Sequence, residues 1–162
     1  SQLFSPCAVG PLTLKNRVVV APMCQYSATD GLANDWHLVH LGKFAQGGAG
    51  LVMVEAAAVA AEGRITHGDV GIWNDEQIAP LERIAAFLKD NGAVPAIQLA
   101  HAGRKASMQR PWYGNAALDD ADHARGDLPW QTVAPSAIAM EQGWLMPHAL
   151  DVEELAGGLA GS

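Results

Sequence analysis

A thiol and a phenol two residues apart, Cys24 and Tyr26, stand in the segment Ala21-Pro22-Met23-Cys24-Gln25-Tyr26-Ser27, directly after the apolar run Val18-Val19-Val20. A short β-branched run reads as a buried parallel strand, and α/β proteins keep their active sites at the C-terminal ends of such strands. The segment therefore reads as a ligand platform, on which Cys24 can serve as nucleophile, metal ligand or modulator of a bound cofactor. The plainer reading is a strand that ends in a proline turn with a buried cysteine. A nucleophilic cysteine needs a base, and the neighbours of Cys24 in sequence supply none. His101, at the end of a later strand, is a candidate, so a Cys/His hydrolase stands as an alternative.

Other residues converge on the same rim. Glu55 and Ala56 are read as ending a second strand, and Gln98 with His101 as ending a third, so each strand delivers small or polar groups to one place. The competing reading of Gln98 is a buried amide satisfied by backbone. His37 and His40, three apart on an expected helix, have the spacing to share a metal, but no further ligand stands nearby and packing or capping roles are favoured. Gly47-Gly48-Ala49-Gly50 precedes a strand instead of following one, so it reads as a helix stop and not as a phosphate cradle. Trp112, Tyr113, Trp130 and Trp144 fall in loops, as anchors or as walls of an apolar pocket.

The elements that must position these groups follow a βαβαβ order. The first strand spans residues 18–21 and leads, past a Gly31 loop, to a helix over 35–46 with Asp35 as N-cap. The second strand is placed at 51–55. The next helix is capped by Asn74 with Gln77 as the partner of a capping box, buries a stripe of Ile78, Leu81, Ile84 and Leu88, and stops at Gly92. The third strand is placed at 94–99. Alternation of this kind implies parallel strands with right-handed crossovers, in a doubly wound sheet or a (β/α) barrel.

Residues 10–16 read as a turn and short strand, a hairpin to close the bottom of a barrel. The span 102–133 is rich in Asp, Gly, Pro and Trp and reads as a functional loop or cap. At 150–155 a helix starts, with Asp151 as N-cap and Glu154 at N3, and residues 156–162 read as a Gly-rich linker or engineered end. A complete barrel takes about 250 residues, so the chain reads as an N-terminal half, residues 1–155, with a tail.

The composition bounds the function. At 49% hydrophobic and 17% charged over 162 residues, the chain has material for one core. Its net charge of −7 and scattered basic residues argue against nucleic-acid binding. No apolar run approaches the roughly 20 residues of a membrane-spanning helix. Two cysteines, Cys7 and Cys24, are too few for a disulfide framework, which makes the cytoplasm the default location.

Taken together, Ala21-Pro22-Met23-Cys24-Gln25-Tyr26-Ser27, Val54-Glu55-Ala56-Ala57-Ala58-Val59, Glu62-Gly63-Arg64-Ile65, Gln98-Leu99-Ala100-His101-Ala102-Gly103-Arg104-Lys105 and Ala134-Pro135-Ser136-Ala137 resemble, in order and spacing, the Old Yellow Enzyme family, and most closely its thermophilic-like class with the xenobiotic reductases. The resemblance implies the N-terminal half of a (β/α)8 TIM barrel that carries FMN, takes hydride from NADPH or NADH and reduces activated C=C bonds of enones. It implies that Ala21, Pro22, Met23, Cys24, Ala56 and Gln98 contact FMN, with Cys24 tuning its potential. It also places Tyr26 and Lys105 on the substrate side, with Cys24 and Tyr26 as the residues nearest the chemistry. The family's later histidine pair, its proton-donating tyrosine, an arginine near the flavin and the last phosphate-binding loops have no counterpart in these residues. The resemblance thus implies activity only with a second half-barrel as partner, and an oligomeric state. A non-catalytic, self-associating half-barrel module is the other reading that the residues leave open.

Overall fold

The computed structural model describes residues 1–155. An antiparallel hairpin, β1 (Cys7–Val9) and β2 (Leu12–Leu14), opens the chain and turns at Gly10, whose φ of 55° suits a residue without a side chain. Then follow β3 (Val19–Val20), α1 (Asp35–Gln46), β4 (Leu51–Ala58), α2 (Ile78–Asp90) and β5 (Val94–Ala100). A short helix, α3 (Asp120–Arg125), and two strands, β6 (Val133–Ala134) and β7 (His148–Ala149), come last. β3, β4 and β5 form one parallel sheet in that order, as the βαβαβ pattern requires.

The hairpin sits where expected, below the sheet. Lys15 Nζ donates to the Asn91 carbonyl at 3.1 Å and Asn16 Nδ2 donates to the Gly48 carbonyl at 2.7 Å, and both carbonyls belong to turns that lead into β4 and β5. The opposite, C-terminal rim is left free of the hairpin.

The two faces of the sheet differ in burial. Val52, Val54 and Ala57 of β4 pack with Leu41 and Ala45 of α1 and with Ile84 and Leu88 of α2, and Val52 and Leu88 are fully buried. Each large apolar side chain so removed from water contributes about 1.5–3 kcal/mol. On the other face Val19 remains 52% exposed, and its register partner Leu51 is half-buried.

Several boundaries differ from the sequence reading. The N-cap of α1 is Asn34, not Asp35: Asn34 Oδ1 accepts the Trp36 N–H at 3.0 Å, and His37 Nδ1 accepts the Asn34 N–H at 3.1 Å. Asp35 is the first helical residue, and its carboxylate pairs with Arg83 of α2 at 2.7 Å. β4 does not end at Glu55 and Ala56 but continues to Ala58; three alanines carry little β-propensity, and it is pairing with β5 that extends the strand. The Asn74–Gln77 capping box is present, but it opens a 3-10 turn, Asp75–Gln77, ahead of α2. Ile78 is 54% exposed instead of buried, because with Leu81, Pro95 and Ile97 it lines a groove left open beside β5. The Asp151 and Glu154 capping box forms as read, with residues 152–155 helical; the reading of 156–162 as a linker lies outside the described residues.

The long loop after β5 is folded, not slack. Gln109 donates to the buried Asp122 carboxylate at 2.7 Å, and Arg125 pairs with the same carboxylate. Trp130 anchors the loop: its indole N–H donates to the Glu62 carbonyl at 2.9 Å, and Arg64 lies between the Trp130 and Trp73 rings at 5.0 and 5.3 Å.

Candidate functional site

Beyond β3 the chain folds across the C-terminal rim and is pinned at successive points. The Gln25 N–H donates to Glu55 Oε1 at 3.1 Å, the Trp36 indole donates to Gln25 Oε1 at 3.1 Å, and Asn34 Nδ2 donates to the Ser27 carbonyl at 2.7 Å. Tyr26 has a φ of 52°, a left-handed conformation that costs a bulky residue energy and persists only where the surroundings fix it. Those surroundings include Gly68, which accepts the Ala28 N–H at 2.9 Å and lies so close to the Tyr26 carbonyl that no side chain fits there. The Tyr26 ring meets Trp112 edge-on at 6.1 Å.

A one-residue β-bulge in β4 arranges the rest. Val54 pairs with Ile97 and Ala56 with Gln98, so Glu55 is the extra residue. The bulge sends the Glu55 carboxyl back toward α1, with Oε2 3.7 Å from His37 Nε2, and places Ala56 beside Gln98 on the open face. The Cys24 thiol stands next to the Ala56 backbone and the Tyr26 hydroxyl, so Cys24, Tyr26, Ala56 and Gln98 form one contiguous patch. Gln98 is exposed, contrary to the buried-amide reading. Met23 is exposed in the same segment, and Lys105 lies in the exposed 3-10 turn Gly103–Lys105 after β5.

Electrostatics set the protonation of the patch. Burial, with the Asp69 and Glu55 carboxyls adding to it, pushes the Cys24 thiol up to about 11. Burial, with Cys24 and Asp69 nearby, pushes the Tyr26 hydroxyl up to about 12. Both groups keep their protons at neutral pH and act as neutral hydrogen-bond partners. A cysteine nucleophile needs the opposite shift, and His101 is not among the groups acting on Cys24; it is exposed, and its Nδ1 accepts the Gly103 N–H at 3.1 Å.

His37 and His40 take the packing roles expected of them. His37 is buried against Glu55, and His40 meets Phe44 edge-on at 5.2 Å. Among the described residues no group of three His, Cys, Asp or Glu is placed to hold a metal. The sequence reading missed Asp69, a buried carboxyl that accepts the Ile65 and Thr66 N–H groups at 2.7 and 3.1 Å and the Thr66 hydroxyl at 2.8 Å. The Thr66-x-x-Asp69 spacing was the available signal.

Parallel strands with helices on one face, a hairpin below and a patch of small and polar groups at the C-terminal rim define the N-terminal part of a (β/α) barrel with its ligand end exposed. The chain belongs to the NADH:flavin oxidoreductase / NADH oxidase family, whose model matches residues 2–155. An NADH:flavin oxidoreductase of Gibberella zeae is 50% identical over 96% of this chain and 38% of its own length. An NADPH dehydrogenase of Bacillus cytotoxicus is 45% identical over 96% of this chain and 40% of its own length. The chain thus spans about two-fifths of the curated relatives it matches. Among solved structures, morphinone reductase in complex with tetrahydroNAD superposes with a TM-score of 0.77 at 25% identity, over 99% of this chain and 44% of that one. An Old Yellow Enzyme from a Pichia species superposes with a TM-score of 0.76 at 25% identity, over 99% and 40%. The fold is that of the N-terminal part of an Old Yellow Enzyme barrel.

Proposed function

We propose that this chain is the ring-contacting half of an FMN-dependent ene-reductase that uses NADPH or NADH to reduce activated C=C bonds of enones, active when the remaining half-barrel completes it. The observation that carries the reading is the contiguous patch of Cys24, Tyr26, Ala56 and Gln98. The patch fits a flavin ring: Ala56 leaves room for a flat face, and the exposed Gln98 amide and protonated Cys24 thiol offer donors to a polar edge. Ala21, Pro22 and Met23 line the approach from β3.

If bound here, FMN would supply hydride-transfer chemistry between NAD(P)H and the substrate. The chain's own residues bind and orient. Gln98 and Cys24 would offer hydrogen bonds to the polar edge of such a ring, and Tyr26 would hold the substrate oxygen through its hydroxyl. Lys105, on the turn after β5, faces the substrate side. The two free thiols, Cys7 and Cys24, accord with a cytoplasmic location.

The direct test joins the chain to the missing half, adds FMN, and measures nicotinamide oxidation with and without a cyclic enone. Enone-dependent turnover is the expected result; flavin bound with no enone dependence would refute the substrate class. In that complemented protein, Cys24→Ala will shift the flavin potential and the rates of both half-reactions while FMN stays bound. Loss of all turnover at an unchanged potential would instead make Cys24 a covalent nucleophile. Tyr26→Phe will weaken phenol and enone binding by about threefold to tenfold, the worth of one neutral hydrogen bond of about 0.5–1.5 kcal/mol, and will leave flavin reduction by nicotinamide intact. Ligand titration checks this, and unchanged affinity would put Tyr26 outside the pocket.

A further inference from the structure

We propose that Glu55 is the positioning residue of this rim: as the extra residue of the bulge it ties the backbone of Gln25, between Cys24 and Tyr26, to β4, and so fixes where the Cys24 thiol and the Tyr26 hydroxyl stand. The inference rests on the flavin reading for what the pair does, and on geometry alone for how it is held.

Glu55 is a carboxyl only 3% exposed, in the middle of an apolar strand. Burying such a group costs energy unless it is hydrogen-bonded, so its partners identify its task. Oε1 accepts the Gln25 N–H at 3.1 Å, and the Tyr26 backbone lies near the carboxyl. On the α1 side His37 faces Oε2 at 3.7 Å. Its Nδ1 stands 3.1 Å from both the Asn34 N–H and Asn34 Oδ1, and its buried Nε2 has no hydrogen-bond partner. Asn34 in turn holds the Ser27 carbonyl. The bulge carboxyl, the α1 cap and the rim segment therefore close a loop of contacts around the strained Tyr26.

The charged and titratable neighbours of Glu55 are few. Cys24 and Tyr26 stand on the rim, His37 on α1 with His40 acting on it, and Asp69, faced by Arg64, lies on the loop after β4. An ionised Glu55 opposes ionisation of Cys24, and a protonated one does not. Burial and the Asp69 carboxyl hold Glu55 at about 7, so its charge changes in the neutral range.

Two variants of the full-length protein separate positioning from mere stability. Glu55→Gln keeps an acceptor for the Gln25 N–H and removes the charge; Glu55→Ala removes both. By hydrogen exchange of the full-length protein, measured without flavin, Glu55→Ala will speed exchange at Gln25 and Tyr26 by at least roughly tenfold while distant strand amides stay protected, and Glu55→Gln will restore most of that protection. Alkylation of Cys24, followed on its own peptide in the flavin-free full chain, will show a bend near neutral pH in the parent. That bend will vanish in Glu55→Gln, whose rate at alkaline pH will rise by roughly threefold to tenfold. Unchanged exchange at Gln25 in Glu55→Ala, or a parent alkylation profile without the bend, would overturn the proposal. If Glu55→Ala does not fold, the Glu55→Gln alkylation profile decides alone. Failure of the parent to bind FMN would strike the functional reading and leave both measurements standing.

Discussion

Expressed alone, the 162-residue chain will sediment mainly as oligomers, and will bind FMN roughly a hundredfold more weakly than the chain completed by the rest of a barrel, a difference of about 2.8 kcal/mol. The strand order leaves β3 and β5 as edges, each with unpaired backbone groups along one side. Pro95 and Ile97 line an open groove, Leu99 is 63% exposed, and Val19 is exposed on the inner face. Apolar surface of this extent on a parallel sheet calls for cover, and another copy is the nearest source. In the function proposed above the patch contacts the flavin ring, while the last βα loops, where barrels hold a phosphate, lie in the remaining part of the barrel. Each charge-assisted hydrogen bond lost there is worth about 1.5–3 kcal/mol, so one or two account for the difference. Sedimentation with a parallel FMN titration is the measurement. A stable monomer that binds FMN as tightly as the completed barrel would end the half-barrel reading.

The stability of the completed protein will fall on both sides of mildly acidic pH, and Glu55→Gln will remove much of the alkaline side. Burial holds the Glu55 carboxyl at about 7 against an ordinary 4.5, so folding favours its protonated form. That contribution is fully present below pH 4.5 and is lost as pH rises through 7. Desolvation, with His40 adding to it, holds His37 at about 4 against an ordinary 6.5, so folding favours neutral imidazole; that contribution is present above pH 6.5 and lost as pH falls through 4. Asp69, also raised by burial, acts in the same direction as Glu55. Between pH 4.5 and 6.5 the Glu55 and His37 contributions oppose each other, so the expected net loss from mildly acidic to mildly alkaline pH is on the order of 1 kcal/mol, read by chemical denaturation. An equal alkaline decline in Glu55→Gln would show that another group is responsible.

Much of this was legible in the residues. The parallel order of the sheet follows from apolar runs alternating with capped helices, and the Asn74–Gln77 and Asp151–Glu154 pairs form the capping boxes that their spacing announces. Asp35 was mistaken for the cap because Asp and Asn are equally good caps; only the hydrogen bonds of Asn34 separate them. The end of β4 was hidden because Ala56-Ala57-Ala58 carries no strand signal of its own, and long-range pairing makes it a strand. The bulge was hidden for the same reason. Cys24, Tyr26, Ala56 and Gln98 were chosen from their positions at strand ends, yet what brings Ala56 level with Gln98 is an inserted Glu55 that no periodicity reveals.

That insertion also bears on how this barrel can be recombined. Side chains along a strand alternate in and out, and Glu55 shifts the count once, so Val52, Val54 and Ala57 share the helix face while Ala56 joins Gln98 on the other. A crossover with a related barrel inside residues 54–58 keeps its parity only if both parents carry the extra residue. If one lacks it, every position downstream exchanges core for open face, and the chimera presents Ala57 to the open face and Ala56 to the helices. Safe junctions in β4 lie before Val54 or after Ala58, where the count has not begun to differ or the strand has already ended.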